Sequence, residues 1–153
     1  MIKKVFFLFC ICFCSLITYA INKPIYSVED TWIVGHNLKN FNNRPLYINN
    51  TNGFILAGDK PVMRLCRGGE IYGTLSFNFM DMSGTYQLHE FSEIKSMYKN
   101  GHMKWVIEDN RKVGLQIQLE VVPDVEEMGM VVKVKIKGAK SEDQLSWTWN
   151  GQE

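Results

Sequence analysis

Hydrophobic and polar residues alternate with a period of two along much of the chain. Apolar side chains occupy nearly every second position in four segments: Ile71–Phe79, Val113–Val122, Met130–Ile136 and Leu145–Trp149. Successive side chains of a β-strand point to opposite faces, so this alternation is typical of strands with one buried face. The four segments are therefore predicted to be strands.

Shorter runs between turn-forming residues predict four more strands. They are Phe54–Ala57, Pro61–Cys66, Glu93–Lys99 and His102–Asp109. The dipeptide Asn100-Gly101 lies directly between the last two, and it favours the left-handed conformations of a tight hairpin turn. Three successive antiparallel strands are therefore expected between Glu93 and Val122.

No segment has a convincing helical period, and only Val28–Leu38 is compatible with one short turn or helix. The pattern predicts an all-β domain in which antiparallel sheets close as a β-sandwich. There is no internal repeat, low-complexity tract or sign of a second domain.

The first twenty residues have a different pattern. Lys3 and Lys4 precede the almost wholly apolar run Val5–Ile17, and small residues at Thr18 and Ala20 suit a cleavage site. This predicts a signal peptide over residues 1–20, a domain over 21–153, and a secreted or periplasmic product.

Two alternatives to a cleaved signal remain open. A membrane anchor needs about 20 apolar residues, but polar Asn22 and Lys23 end this run early, so no stable span is expected after cleavage. A lipoprotein site at Cys10, Cys12 or Cys14 is less favoured, because bulky Phe or Ile precedes each cysteine.

Composition fits a folded, exported domain. The 153 residues are 46% hydrophobic and 12% aromatic, with a formal net charge of +1. Removal of residues 1–20 takes away Lys3, Lys4 and three of the four cysteines, which leaves a charge of −1 and only Cys66. The near-zero charge argues against a nucleic-acid partner. Without a possible intramolecular disulfide, stability must come from an apolar core, in which Cys66 is expected to be buried.

Residue spacing identifies no catalytic, metal or cofactor site. The histidines lack the spacing of paired metal ligands, and there is no Cys-x-x-Cys. A glycoside hydrolase would need two carboxylates a few ångströms apart, but the sequence does not say which would converge. The period-two lysines at 133, 135 and 137 would suit an anionic polymer, yet they more often mark a solvent face or a protected edge.

Aromatic residues are the best binding candidates. Trp147 and Trp149 share one face of a predicted strand, and Trp105 lies on the strand after the Asn100-Gly101 turn. Flat rings suit the C–H faces of sugars, but packing in the core or at a domain interface is favoured for these residues. Trp32 lies outside the strong strand pattern and is compatible with either role.

Several short motifs resemble the N-terminal region of the DUF4450 family. They are Asn43–Tyr47, Ala57–Pro61, Arg67–Gly69 and Trp147–Gly151, with Phe54 between the first two. Members are large secreted proteins, typical of Bacteroidetes and thought to be carbohydrate-active, in which a β-sandwich precedes a helical toroid of glycoside-hydrolase type. The toroid is absent from residues 1–153, so the resemblance implies the leading domain of a longer protein without its C-terminal catalytic domain.

In that setting the resemblance implies loop contacts to a polysaccharide or oligosaccharide from Arg44, Tyr47, Asp59 and Arg67, since guanidinium and carboxylate groups hydrogen-bond vicinal hydroxyls. A structural role is favoured for two of them, with Arg44 paired to Asp59 to fix the loops between strands.

Three functions follow, in order of preference. The first is a non-catalytic exported sandwich that serves as scaffold or cleft wall for a catalytic domain. The second is an autonomous carbohydrate-binding module that uses Trp32, Trp105, Trp147 or Trp149. The third, a small hydrolase in its own right, is least favoured because the acid and base of toroidal hydrolases generally come from the barrel.

Overall fold

The computed structural model describes residues 25–48, 52–124 and 126–151 and confirms an all-β sandwich of two packed antiparallel sheets. The predicted signal peptide over residues 1–20 lies outside the described residues. The described residues form twelve strands: β1 (Tyr26–Glu29), β2 (Trp32–His36), β3 (Arg44–Tyr47), β4 (Gly53–Ala57), β5 (Met63–Arg67), β6 (Glu70–Asp81), β7 (Gly84–Gln87), β8 (Glu93–Lys99), β9 (His102–Glu108), β10 (Gln116–Pro123), β11 (Met130–Lys137) and β12 (Gln144–Gly151). One 3₁₀ turn, Leu88–Glu90, precedes β8.

The first sheet has the strand order β1-β2-β8-β9-β10-β11, and the second has the order β12-β6-β5-β4-β3, with β7 also paired to β6. The long β6 therefore holds the second sheet together, since three strands pair with it. Strands β11 and β12 are the outermost strands of different sheets. The loop 138–143 connects them, so the two sheet edges meet at one corner of the sandwich.

The predicted hairpin at Asn100-Gly101 is confirmed, with φ angles of 40° and 73° at the two residues. It joins β8 to β9, and β10 follows antiparallel as predicted. Strand β10 begins at Gln116 rather than Val113, because Gly114 has a positive φ of 87° and the chain is still turning there.

Of the two options for Val28–Leu38, the short turn is present at Asp30–Thr31 and the helix is wrong, because this segment belongs to the hairpin β1–β2. Asp30 makes the reversal possible by adopting a φ of 57°, a left-handed conformation that Asp tolerates better than most residues. Strands β3 and β7, of four residues each, were also not predicted, since neither shows an alternation of apolar and polar residues.

The core lies between the two sheets and contains the inner side chains of both. Strands β9 and β10 supply six of them: Met103, Trp105, Ile107, Ile117, Leu119 and Val121. The second sheet contributes, among others, Leu46, Ile55, Met63, Phe77 and Phe79. Cys66 is buried as predicted, and burial raises the pKa of its thiol. A raised thiol pKa disfavours the reactive thiolate.

Candidate functional site

Trp105 belongs to the core and not to a binding surface. The fold buries its side chain completely, and its indole Nε1 donates a hydrogen bond of 2.9 Å to the carbonyl oxygen of Gly58. This bond joins β9 of the first sheet to the loop after β4 of the second. With no exposed ring face, Trp105 cannot stack on a sugar, and the structure removes it from the candidate binding residues.

Asp59 is likewise a structural residue, buried to 2% exposure in the same loop. Its carboxylate accepts hydrogen bonds from Tyr26 (2.8 Å), Asn40 (2.9 Å) and Ser96 (3.1 Å), of which Tyr26 and Ser96 come from the opposite sheet. A buried carboxylate is tolerated when its oxygen atoms are satisfied in this way. Asp59 therefore fastens the two sheets together and has no face available to a glycan.

The expected pair between Arg44 and Asp59 does not form among the described contacts. Instead, the Arg44 guanidinium lies 4.5 Å from the centre of the Tyr26 ring, and its Nη1 donates to the carbonyl oxygen of Asn43 at 3.0 Å. The Tyr26 hydroxyl donates to Asp59. Arg44 thus contacts the ring of Tyr26, and Asp59 accepts a hydrogen bond from its hydroxyl group.

Three further candidates lie on three different strands, one in the first sheet and two in the second. Trp32 is half-buried in β2 of the first sheet and packs edge-on against His102, with ring centres 5.1 Å apart. Tyr47 is exposed on β3, at the opposite edge of the second sheet from β12, while Arg67 is exposed at the end of β5. These side chains and Trp147 do not form one site.

Trp147 and Trp149 are the two candidates that the structure brings together on an accessible surface. They lie directly opposite Phe77 and Leu75 of β6, so their rings project from the inner face of the second sheet. Even so, 67% of Trp147 and 41% of Trp149 is exposed. The Trp149 ring lies over Gly73, where the absence of a side chain leaves room for it.

Strand β11, at the edge of the first sheet, also has inward-facing apolar side chains that are partly exposed. Val134 and Ile136 lie opposite the core residues Leu119 and Ile117 and therefore face inward, yet they are 36% and 39% exposed. We call Val134, Ile136, Trp147 and Trp149 the apolar margin. Both edge strands thus carry inward-facing apolar side chains that the opposite sheet does not cover.

The chemistry of the apolar margin favours a protein surface over a sugar. Sugar sites combine rings with placed hydrogen-bonding groups that fix the hydroxyls, whereas the four side chains of the margin are hydrocarbon apart from two indole N–H groups. The polar residues of β12, such as Thr148, alternate onto the other face of the sheet. Exposed apolar patches of this kind commonly mark sites of protein contact.

A pair of carboxylates that the sequence could not identify lies at the end of β8 and β9. Glu93 and Glu108 are directly opposite each other beside a cavity of about 420 Å³. Asn37 donates to Glu93 and Gln116 donates to Glu108, both at 2.7 Å. Both residues are exposed, and these amide contacts explain how two like charges are accommodated side by side.

The described residues contain no group of three or more His, Cys, Asp or Glu side chains placed to hold a metal ion. Within residues 25–48, 52–124 and 126–151, no helix is long and apolar enough to cross a membrane.

Residues 69–153 match a family model described as a domain of unknown function, DUF4450. The match begins just before β6 and includes β11 and β12. The earlier motifs Asn43–Tyr47 and Ala57–Pro61 lie before the matched range. No curated protein and no solved structure matches the chain.

Proposed function

The chain belongs to the DUF4450 family, whose model matches more than half of its length, and on this basis we propose a supporting role beside a catalytic domain. The protein is an exported, non-catalytic β-sandwich domain of a carbohydrate-active protein. It serves as scaffold or cleft wall for a glycoside-hydrolase-like partner domain, which packs on the apolar margin.

The observation that carries this proposal is the exposure of the apolar margin. Trp147 alone leaves 67% of its surface in water, although apolar burial yields about 25 cal/mol per Å². Contact with another folded surface would recover that free energy. Hydrogen bonds of Asp59 and Trp105 join the two sheets, and they stabilise the sandwich on which such a partner would pack.

Site-specific photo-crosslinking in the native host tests the proposal. A photoreactive phenylalanine replaces Trp147, and the same group at Thr148, on the opposite face of β12, is the matched control. We expect position 147 to crosslink to a glycoside-hydrolase-like domain and position 148 not to. Equal labelling from both positions, or crosslinks only to a second copy of this chain, would contradict the scaffold role.

An autonomous carbohydrate-binding module is the second candidate, favoured by the exposure of the adjacent rings of Trp147 and Trp149. Affinity electrophoresis in gels that contain soluble polysaccharides separates the two functions. Retardation that is lost in Trp147→Ala but kept in Thr148→Ala would support the binding module. A lack of retardation on a broad panel would favour the scaffold, and release of reducing sugar would instead indicate a hydrolase.

A further inference from the structure

Strand β11 has a free edge and two unlike faces. It pairs with β10 on one side, and no strand among the described residues pairs with its other side. Lys133, Lys135 and Lys137 share its outer face, while Val134 and Ile136 share its inner face. The edge thus presents an unpaired backbone flanked by a row of ammonium groups and a row of hydrocarbon.

The ammonium groups of β11 form no ion pair with the residues opposite them in the described structure. Lys135 and Lys137 face the uncharged Gln118 and Gln116. Lys133 faces Glu120, but the Glu120 carboxylate already contacts Nε2 of His102 at 2.8 Å. Within the part of the chain that the structure describes, none of the three lysines forms an ion pair.

From this we infer that the partner domain adds an extended segment to the free edge of β11, with acidic side chains at alternate positions and apolar side chains between them. The inference rests on the proposed scaffold role and specifies how the partner is recognised. Cross-strand neighbours on one face of a sheet interact directly, and opposite charges there are stabilising. Acidic residues would lie beside the three lysines, and apolar ones beside Val134 and Ile136.

Strand geometry sets the length of this segment. Residues on one face repeat every two positions at about 3.3 Å per residue, so the three lysines span about 13 Å. A segment of about seven residues with three acidic side chains spans them. Main-chain hydrogen bonds would supply affinity and the alternating side chains would supply selectivity, as in other cases of strand addition.

The same lysines argue against a second copy as the occupant of this edge. Pairing of β11 with another β11 would place two rows of lysines side by side on one face, and like charges in that position are destabilising. Lysines on an edge strand are a common protection against such self-pairing. They repel an identical edge and attract an acidic one, which gives the selectivity proposed here.

Two synthetic heptapeptides test the inference with the full chain. One alternates valine with three glutamates and the other alternates valine with three lysines; both are used at concentrations where sedimentation shows them to be monomeric. By fluorescence anisotropy at low salt, we expect the glutamate peptide to bind about tenfold more tightly or better. The preference should diminish as salt is added.

Charge reversal gives the sharper comparison. In the variant Lys133→Glu, Lys135→Glu, Lys137→Glu the peptide preference should invert. A control with the same change in net charge, Lys39→Glu, Arg67→Glu, Lys99→Glu, lies on other segments and should retain the wild-type preference. Circular dichroism shows whether each variant folds. If the β11 variant does not, hydrogen exchange on the wild-type chain decides, since the glutamate peptide should protect β11 amides.

The outcomes separate this inference from the function on which it rests. Equal binding of both peptides, or absence of binding while position 147 still crosslinks to a catalytic domain, would overturn strand addition and leave the scaffold role intact. Absence of both peptide binding and crosslinking would overturn both.

Discussion

Tryptophan at two positions illustrates how location decides the role of a residue. Trp105 and Trp147 both project from the inner face of a sheet. Trp105 lies in β9, between other strands and beneath the opposite sheet, and is fully buried; Trp147 lies in the edge strand β12 and is largely exposed. The first therefore contributes to stability, while the second is available for contact.

Replacement of Trp105 by Ala should lower the free energy of unfolding by about 3–5 kcal/mol, because it leaves a large cavity and an unpaired Gly58 carbonyl. Trp147→Ala should cost about 1 kcal/mol or less, since most of that ring is exposed. Urea denaturation measures both. Equal losses would show that Trp147 is packed in the solution structure.

Asp109 gives the protein a specific dependence on acid pH. Hydrogen bonds of 2.7 and 2.6 Å from Nε and Nη2 of Arg111 hold the pKa of the buried Asp109 carboxyl at about 2, below the ordinary 3.8. A lowered folded-state pKa adds stability above the unfolded value, and this contribution is lost as the pH falls from about 4 to about 2.

Asp109→Asn should remove about 1–2 kcal/mol of stability at neutral pH, discounted because the Arg111 guanidinium is more than half exposed. Between pH 6 and pH 2, the midpoint of thermal unfolding, Tm, should then fall less steeply for the variant than for the wild type. The exposed Glu127→Gln is a control that should leave the wild-type slope unchanged. If the Tm values of Asp109→Asn and wild type decline in parallel, ionisation of Asp109 does not contribute to the pH dependence of stability.

Strands with five or more alternating positions were predictable, because the period of two is visible in their residues. Strands β8, β9 and β11 match their predicted bounds to within one residue, whereas β12 continues two residues beyond its predicted end, to Gly151. The hairpin β1–β2 was missed because the apolar residues of Val28–Leu38 do not alternate clearly, and its reversal depends on a left-handed Asp30. A turn that depends on one left-handed Asp is only weakly indicated by the sequence, whereas the dipeptide Asn100-Gly101 is a strong signal for a hairpin turn.

The connection between β11 and β12 depends on one glycine. Gly138 has a φ of 73°, and a side chain there would collide with the backbone carbonyl of Gly114. Gly101 has the same φ but open space around it. Gly101→Ala should therefore cost about 1–2 kcal/mol from the backbone conformation alone. Gly138→Ala should cost distinctly more, and equal losses in urea denaturation would show that the clash is relieved by small shifts.

On the scale of the whole molecule, the sequence predicts the sandwich but not its exposed side. Alternation places Trp147 on the inner face, yet it cannot show whether the opposite sheet extends far enough to cover that position. The same holds for Arg44 and Asp59, whose common partner Tyr26 comes from the first sheet. Contacts between sheets depend on how the sheets pack, which no local pattern of residues records.

The exposed apolar margin should bind a hydrophobic dye in the folded state. The double variant Ile136→Ser, Trp147→Ser should reduce the fluorescence of bound bis-ANS without a large loss of stability, since both residues are substantially exposed. Thr148→Ala, on the opposite face of β12, is the control and should bind as much dye as wild type. Undiminished dye binding in the double variant would place the apolar surface elsewhere.

Strand β12 also constrains the order in which the molecule assembles. It pairs with β6, but all of β7 to β11 lies between them in the chain. The hairpins of β8 to β11 close through short loops and can form early, whereas the β6–β12 pairing must wait for a long loop to close. Until then β6 retains an unpaired edge, so the final strand, with Trp147 and Trp149, reports the last stage of folding.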